Sequence, residues 1–285
     1  MRLKSKELQQ RLEEDGAIRI QSFIDESGIN RILELYKELG VTKFGEIYSN
    51  IKDRGAEYNK KVDEVFQDIY KDSIAKYFEN YQLGGGAFLI KGTGNKSHAS
   101  LHQDWNVVDE SKFQSAAIFC PTVDVDETNG CLQILKGSHK WFKNIRAFHH
   151  PSSYLTFDQV KKGLISLPAR AGDAIVFRHN VFHGSKPNFT SETRVAASLS
   201  ISTKGAQYLH YIRENEMFNV VEADQRFFHN CVREMFLGNK VELKSIGQIP
   251  FDPDWIKDFD TVFSRYQKEY PTSFFDKLNG FFKSS

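Results

Sequence analysis

The chain has 285 residues, 40% hydrophobic and 26% charged, enough apolar material for a sizeable core and the length of one or two domains. Lys plus Arg (38) balance Asp plus Glu (37) to a formal charge of +1, so no global field draws the protein to nucleic acid or to an anionic membrane. Three cysteines (Cys120, Cys131, Cys231) with no CxxC spacing argue against a disulfide framework or a thiolate zinc site, and no apolar run approaches the roughly 18 residues of a membrane helix. The opening MRLKSKELQQRLEED has no apolar stretch of the signal-peptide kind, so the sequon Asn188-Phe189-Thr190 reads as chance. The expectation is a reduced, soluble, cytoplasmic protein.

In chain order, residues 4–15 read as a helix and GAIRIQSF (16–23) as a short strand after a break at Gly16. DESGINRILELYKELG reads as a helix with Asp25 as N-cap, an apolar stripe of Ile29, Ile32, Leu33 and Leu35, and Gly40 as the closing residue. Residues 41–60 are polar loop, and 61–81 carry Val62, Val65, Phe66 and Ile69 at helical spacing. After Gly84-Gly85-Gly86 the pattern changes to short β-branched and aromatic runs: AFLIKG (87–92), SAAIFCPTVDV (115–125), CLQIL (131–135), GLISLP (163–168), DAIVF (173–177) and RVAASLSIS (194–202). Asn129-Gly130 supplies the positive φ values of a tight hairpin, from which CLQIL returns. Such a series of short strands predicts a sandwich or small barrel. Residues 223–237 read as helical. No repeat or linker interrupts the chain, so one domain (1–285) is expected, with a helical support (1–82), a β core (84–213) and a C-terminal helical or lid segment (214–285).

The chemistry starts at SLHQDWN (100–106). On a strand, residues i and i+2 share a face, so His102 and Asp104 would aim an imidazole and a carboxylate at one spot. With 9 histidines and 37 acidic residues, about one His-x-acid triplet arises by chance, so the pair alone is an even choice between a site and a bland hydrogen bond. A second segment, GDAIVFRHNVFHGSKPN, adds His183, and Arg194 follows 11 residues later. Two histidines and a carboxylate make the facial triad of non-haem Fe(II) oxygenases, which leaves metal positions open for a bidentate cosubstrate and O₂. An arginine fork suits the far carboxylate of such a cosubstrate. His179 and His183 are four apart, as in a helical zinc-protease motif, but Asn180 stands where that motif needs Glu and the segment reads as strand and turn. His139 reads as a loop brace. His98, His149, His150, His210 and His229 read as solvated or structural.

Taken together, LHQDW (101–105), ETNGCLQILKGSHKW (127–141), and GDAIVFRHNVFHGSKPN with Arg194 resemble the phytanoyl-CoA dioxygenase family of Fe(II)/2-oxoglutarate oxygenases over roughly residues 8–202. The resemblance implies a mainly β fold with helical flanks, a double-stranded β-helix (jelly-roll, cupin-like) barrel. It implies Fe(II) on His102, Asp104 and His183, and 2-oxoglutarate on Arg194 with Ser185 nearby and Lys91 in reach. Phe119 stands where the family often has a tryptophan. Gln103 and Trp105 flank the metal ligands as pocket wall. Arg146 and Arg213 are candidates for a substrate carboxylate or phosphate, with surface salt bridges as the alternative. The implied reaction consumes O₂ and 2-oxoglutarate, releases succinate and CO₂, and oxidises, most simply hydroxylates, an unactivated C–H bond of a small metabolite or natural-product intermediate. A carboxylate at position 104 favours hydroxylation, desaturation or cyclisation over halogenation, since related halogenases leave that ligand position to chloride. The rival readings are a non-catalytic cupin-like metal or ligand-binding protein and a peptide hydroxylase of the same superfamily. Loops 41–60 and 141–160 and the C-terminal segment are expected to set specificity; the fold itself does not name the substrate.

Overall fold

In the computed structural model the described residues are 1–40, 46–141, 145–147, 160, 163–251, 264 and 268. His149 and His150, residues 41–45 of the 41–60 loop and most of the 141–160 loop lie outside them. The N-terminal elements are β1 (Arg2–Leu3), α1 (Lys6–Asp15), β2 (Ala17–Ile20), α2 (Glu26–Lys37), β3 (Ile47–Tyr48), α3 (Ala56–Tyr77), β4 (Phe78–Glu79), β5 (Tyr81–Phe88), β6 (Ile90–Lys91) and β7 (Ala99–His102). The middle of the chain forms β8 (Ser115–Pro121), β9 (Leu132–Leu135), β10 (Leu164–Leu167), β11 (Ala174–Arg178), β12 (His183–Ser185) and β13 (Ala196–Thr203). Strands β14 (Leu209–Glu214) and β15 (Met217–Glu222), a π-helical turn Phe227–Cys231, α4 (Val232–Phe236) and β16 (Ser245–Pro250) follow.

Caps explain the helix limits. Ser5 Oγ accepts from Leu8 N–H and Asp25 Oδ1 from Gly28 N–H, each satisfying a donor with no partner in its own helix. Gly16 sits at φ 85°, where its N–H reaches Leu12 O and closes α1. Helix α2 ends at Lys37, earlier than the sequence suggests; Gly40, at φ 67°, lies beyond it. Helix α3 starts at Ala56, inside the expected loop, and buries Val62, Phe66, Tyr70 and Ile74 at four-residue spacing. Val62, Phe66 and Ile74 each contribute about 1.5–3 kcal/mol relative to exposure.

Two antiparallel sheets make the jelly roll. One has the order β2-β11-β8-β13-β5 and the other β10-β9-β12-β7. Strand β8 is buried along its whole length, which alternation of faces explains. Ala116, Ile118 and Cys120 join the core shared with α2 and α3, while Ala117 and Phe119 join the core between the sheets, with Leu101, Ile134 and Ile165 of the opposite sheet. A one-residue slip would exchange these two faces. Strand β5 runs through the three glycines that the sequence suggests as a boundary. Its outer edge is covered: Gly86 N–H donates to Asp63 Oδ1 and Phe88 N–H to Asn50 Oδ1.

Two expectations are corrected. The Asn129-Gly130 turn does not close a hairpin, because β8 and β9 belong to different sheets. Only Gly130 takes positive φ, at 74°, and Asn129 instead bonds Asp126 N–H and Asp124 O through its side chain. Of the segment after 213, the described part to residue 251 is not chiefly helical: β14, β15 and β16 form a three-stranded sheet, with the helical piece between β15 and β16, and most of 252–285 lies outside the described residues. Among the described residues, no helix is long and apolar enough to cross a membrane.

Candidate metal centre

His102 ends β7 and His183 opens β12, and the antiparallel register sets the two directly opposite each other. Their rings lie 4.3 Å apart between centroids. Asp104 is beyond the end of β7, so strand alternation does not aim it. Two long-range bonds to its backbone do: its N–H donates to His179 O (2.8 Å), and Arg146 Nε donates to its carbonyl (2.6 Å). Asp104 Oδ1 then lies 3.6 Å from His102 Nε2 and 3.7 Å from His183 Nε2. One ligand atom from each residue falls within 4.8 Å of the others, a set that could hold a metal ion.

The tautomers suit that task. His102 Nδ1 is 2.7 Å from Ser100 O and His183 Nδ1 is 3.0 Å from Val181 O. A carbonyl only accepts, so each Nδ1 carries the proton and each Nε2 turns a lone pair toward Asp104. Burial pushes His183 down to about 4, against the pull of Asp104. Burial opposes charge on Asp104 too, yet His183, His102 and His179 around it hold its carboxyl well below the usual carboxylate range. Burial lowers His102 as well, but the hydrogen bond and charge of Asp104 outweigh it and raise the ring, so a divalent cation binding here displaces any proton from His102 and meets a carboxylate between two imidazoles.

The centre opens into a cavity of about 400 Å³. Arg194 lines it, 4% exposed, with Nη1 donating to Gly130 O (2.7 Å) and the guanidinium 5.3 Å from the centre of the Phe119 ring. Its Nε has no partner, and no described acidic residue pairs with it. Burial lowers it to about 10, so it stays charged at neutral pH. A buried cation without a counter-ion, beside a metal-ligand set, fits a dianionic 2-oxo acid that would chelate the metal at one end and meet the arginine at the other. Ser185 also lines the cavity, and its hydroxyl accepts from Lys91 Nζ at 2.7 Å.

Other expected contacts are redistributed. Lys91 does not line the cavity: fully buried, it gives its three ammonium hydrogens to Ser185 Oγ, Ser97 O and Lys186 O, and so braces the Ser185 side of the cavity from behind. Burial and then the neighbouring Arg194 push it down to about 7. Arg146 is also no cavity residue; 1% exposed, it pairs with Glu110 at 2.5 Å and holds the Asp104 carbonyl. Arg213 is exposed on β14, bonded to Asn215 O and stacked at 3.8 Å on Phe251. Gln103, Trp105 and Phe119 do line the cavity. Gln103 reaches it because β7 has ended, and its Nε2 donates to Asn180 O (2.6 Å).

His179 bonds Ser115 Oγ at 2.9 Å and lies in a strand-end turn, not on a helix facing His183. His139 braces α1 through Glu13 O. The sequence reading missed several wall residues: Ser198 and Ser200 on β13, His210 on β14, and Phe227, Phe228 and Phe236. His210 packs between Trp105 (5.2 Å) and Phe227 (5.1 Å). The inward serines were legible in the alternation of ASLSIS; the aromatic wall was not, because it depends on how the C-terminal segment folds back.

A two-sheet jelly roll carrying two histidines and a carboxylate in a cavity is the architecture of the non-haem metal-dependent oxygenase class. The chain belongs to the phytanoyl-CoA dioxygenase family, whose signature matches residues 12–196. Among curated relatives, dioxygenase olcK of Penicillium canescens is 31% identical over 138 residues, 46% of this chain and 41% of that one. Phytanoyl-CoA dioxygenase of Arabidopsis thaliana is 29% identical over 119 residues, 40% of this chain and 42% of its own length. The matches thus span less than half of either relative. Among solved structures, the alpha-ketoglutarate-dependent carbocyclase SnoK from nogalamycin biosynthesis shares the fold, with a TM-score of 0.55 and 17% identity over 72% of this chain and 86% of that one.

Proposed function

We propose that the protein is an Fe(II)/2-oxoglutarate-dependent oxygenase that oxidises, most simply hydroxylates, an unactivated C–H bond of a small metabolite or natural-product intermediate, with succinate and CO₂ as coproducts. The observation that carries this reading is the convergence of His102 Nε2, His183 Nε2 and Asp104 Oδ1 in a cavity that also holds a buried arginine with no acidic partner among the described residues. When bound, iron supplies the redox centre at which the 2-oxo acid and O₂ meet. The chain's own residues do the rest. Backbone carbonyls fix both imidazoles in the ligating tautomer, and Asp104 offsets part of the metal charge. Arg194 takes the far carboxylate of 2-oxoglutarate as a fork, with the Ser185 hydroxyl beside it. Phe119, Leu132 and Phe177 wall this end with apolar surface and keep bulk water from the reacting centre. Trp105, Phe227 and Phe228 hold the substrate carbon in place. A relative named as a dioxygenase and a structural neighbour named as an alpha-ketoglutarate-dependent carbocyclase support the class.

The test is succinate release from a metabolite library with Fe(II) and 2-oxoglutarate, run on the wild type and on Asp104→Ala. The wild type is expected to release succinate with its substrate, and the variant to lose both turnover and tight metal binding while remaining folded. Full iron-dependent activity in the variant would remove the triad assignment. Tight ligand binding by the wild type with no succinate from any candidate would favour the non-catalytic rival.

A further inference from the structure

The inner face of β13 is unlike the rest of the core between the sheets. The strand reads AASLSIST. Ala197, Leu199 and Ile201 turn outward into the helix-side core, and Ala196, Ser198, Ser200 and Ser202 turn inward. Ser202 is buried and donates to the Tyr208 hydroxyl at 3.1 Å. Ser198 and Ser200 line the cavity, half-buried, and neither hydroxyl has a hydrogen-bond partner among the described residues.

The neighbouring strands cannot supply one. On β8, Phe119 lies opposite Ser198 and Ala117 opposite Ser200, both apolar. On β5, the cavity-lining residues are Gly85, Gly86 and Ala87. Gly85 has no room for a side chain, since a Cβ there would come within 3.0 Å of Phe228. A third polar atom nearby is also unpaired: Gln103 Oε1, on a residue 1% exposed whose Nε2 is already committed to Asn180 O. The remaining walls are mostly apolar, formed by Trp105, Phe227, Phe228 and Phe236, with Ser49, His179 and His210 as the other polar lining residues outside the metal centre and its arginine and serine. Beyond the metal centre and Arg194, Lys52 is the one lining residue, among those described, with an always-charged side chain, and it is exposed at the rim. Alanine would fill both β13 positions without the cost of desolvating a hydroxyl.

We infer that Ser198 and Ser200 are specificity-determining residues, and that the substrate is an uncharged, largely apolar molecule carrying two hydroxyl or keto oxygens that meet them. This rests on the oxygenase reading above and deepens it. Alternate residues on a strand stand about 6.6 Å apart, which sets the spacing of the two substrate oxygens. The aromatic walls cover the apolar body of the substrate. With its oxygens held on β13, the molecule has one edge fixed, and the carbon presented to the metal centre is the one that this edge leaves in reach.

The test uses the full chain loaded with Mn(II) and 2-oxoglutarate without O₂, so that binding is read without turnover. The probes are naphthalene, 2-naphthol and 2,7-dihydroxynaphthalene, with dissociation constants from fluorescence or calorimetry and 2-oxoglutarate affinity measured in parallel. Each hydroxyl is expected to tighten binding about 3–10-fold, so the diol binds at least about 10-fold better than naphthalene. In the Ser198→Ala/Ser200→Ala variant that gap closes, while the affinities for naphthalene and 2-oxoglutarate stay at wild-type values, which also reports an intact fold. A gap that persists in the double variant overturns the assignment, as does a diol that binds wild type no better than naphthalene. If Mn(II)-loaded wild type does not bind 2-oxoglutarate, the oxygenase reading fails and this assignment with it; if 2-oxoglutarate binds and the gap is absent, the serine assignment alone falls.

Discussion

Replacing Arg146 with methionine separates a positioning role from a substrate contact. The side chain is 1% exposed; Nε reaches Asp104 O at 2.6 Å and Nη2 reaches Glu110 Oε1 at 2.5 Å. Its backbone is tied to Asn106 in both directions, with Arg146 N–H donating to Asn106 Oδ1 and Asn106 N–H to Arg146 O. Methionine keeps much of the apolar stem and removes both charged contacts. Removing one partner of a buried pair costs about 3–5 kcal/mol. The Glu110 side chain is 16% exposed, so water recovers part of this and about 3 kcal/mol is the expectation. At about 2–4 °C per kcal/mol for a chain of this size, Tm falls by roughly 6–12 °C. The Asp104 carbonyl also loses its donor, so the carboxylate is held less firmly and metal affinity should drop about 10–100-fold. Calorimetry of the metal-free protein and a Mn(II) titration measure the two effects. Unchanged Tm and metal affinity together with a raised substrate KM would refute the brace and return Arg146 to the substrate.

Gly130→Ala tests the turn behind the cosubstrate end: its φ is 74°, and a Cβ would lie 2.4 Å from Lys186 O and 2.9 Å from Lys91 Cδ. The backbone must move, displacing the carbonyl that Arg194 Nη1 holds, so urea unfolding should show a loss of several kcal/mol, roughly 2–4, and 2-oxoglutarate should bind more weakly; wild-type values for both would contradict this. His210 gives a pH dependence. Burial, opposed by a bond to the Asn106 backbone, pushes it from 6.5 down to about 4. As pH falls from about 6.5 to about 4 the unfolded chain takes up a proton that the folded chain refuses, so up to about 3 kcal/mol of stability present above this window is lost within it. His210→Phe keeps a ring between Trp105 and Phe227 and should flatten that part of the stability–pH curve; parallel curves for variant and wild type would remove His210 as the cause.

The metal set was readable because its chemistry demands particular residue types at particular places: His-x-Asp ending one strand and His-Gly-Ser opening another. Helix starts were readable at Asp25, where the cap is made within three residues, and the alternation of β8 was readable from its unbroken apolar run. The turn at Asn129-Gly130 misled because the same dipeptide serves a hairpin and a crossover, and only the sheet assignments of β8 and β9 distinguish them. The end of α2 was misplaced for a related reason: Gly40 takes the expected positive φ, yet the helix has already ended at Lys37.

The amino-acid sequence by itself pointed to the candidate ligand types, to an arginine suited to an anionic cosubstrate and to the two-faced strands, since each follows from side-chain chemistry or from contacts within a few positions. The tertiary structure decided what the buried cations do and what the cavity presents. Lys91 meets Ser185 across 94 positions and Arg146 meets Asp104 across 42, so whether each charge faces ligand or protein depended on partners that no local pattern specifies. The same holds for Ser198 and Ser200: alternation placed them on one face of a strand, but only the packing of β5, β8 and the aromatic wall around them left their hydroxyls without a partner among the described residues, in the cavity that also holds the metal centre.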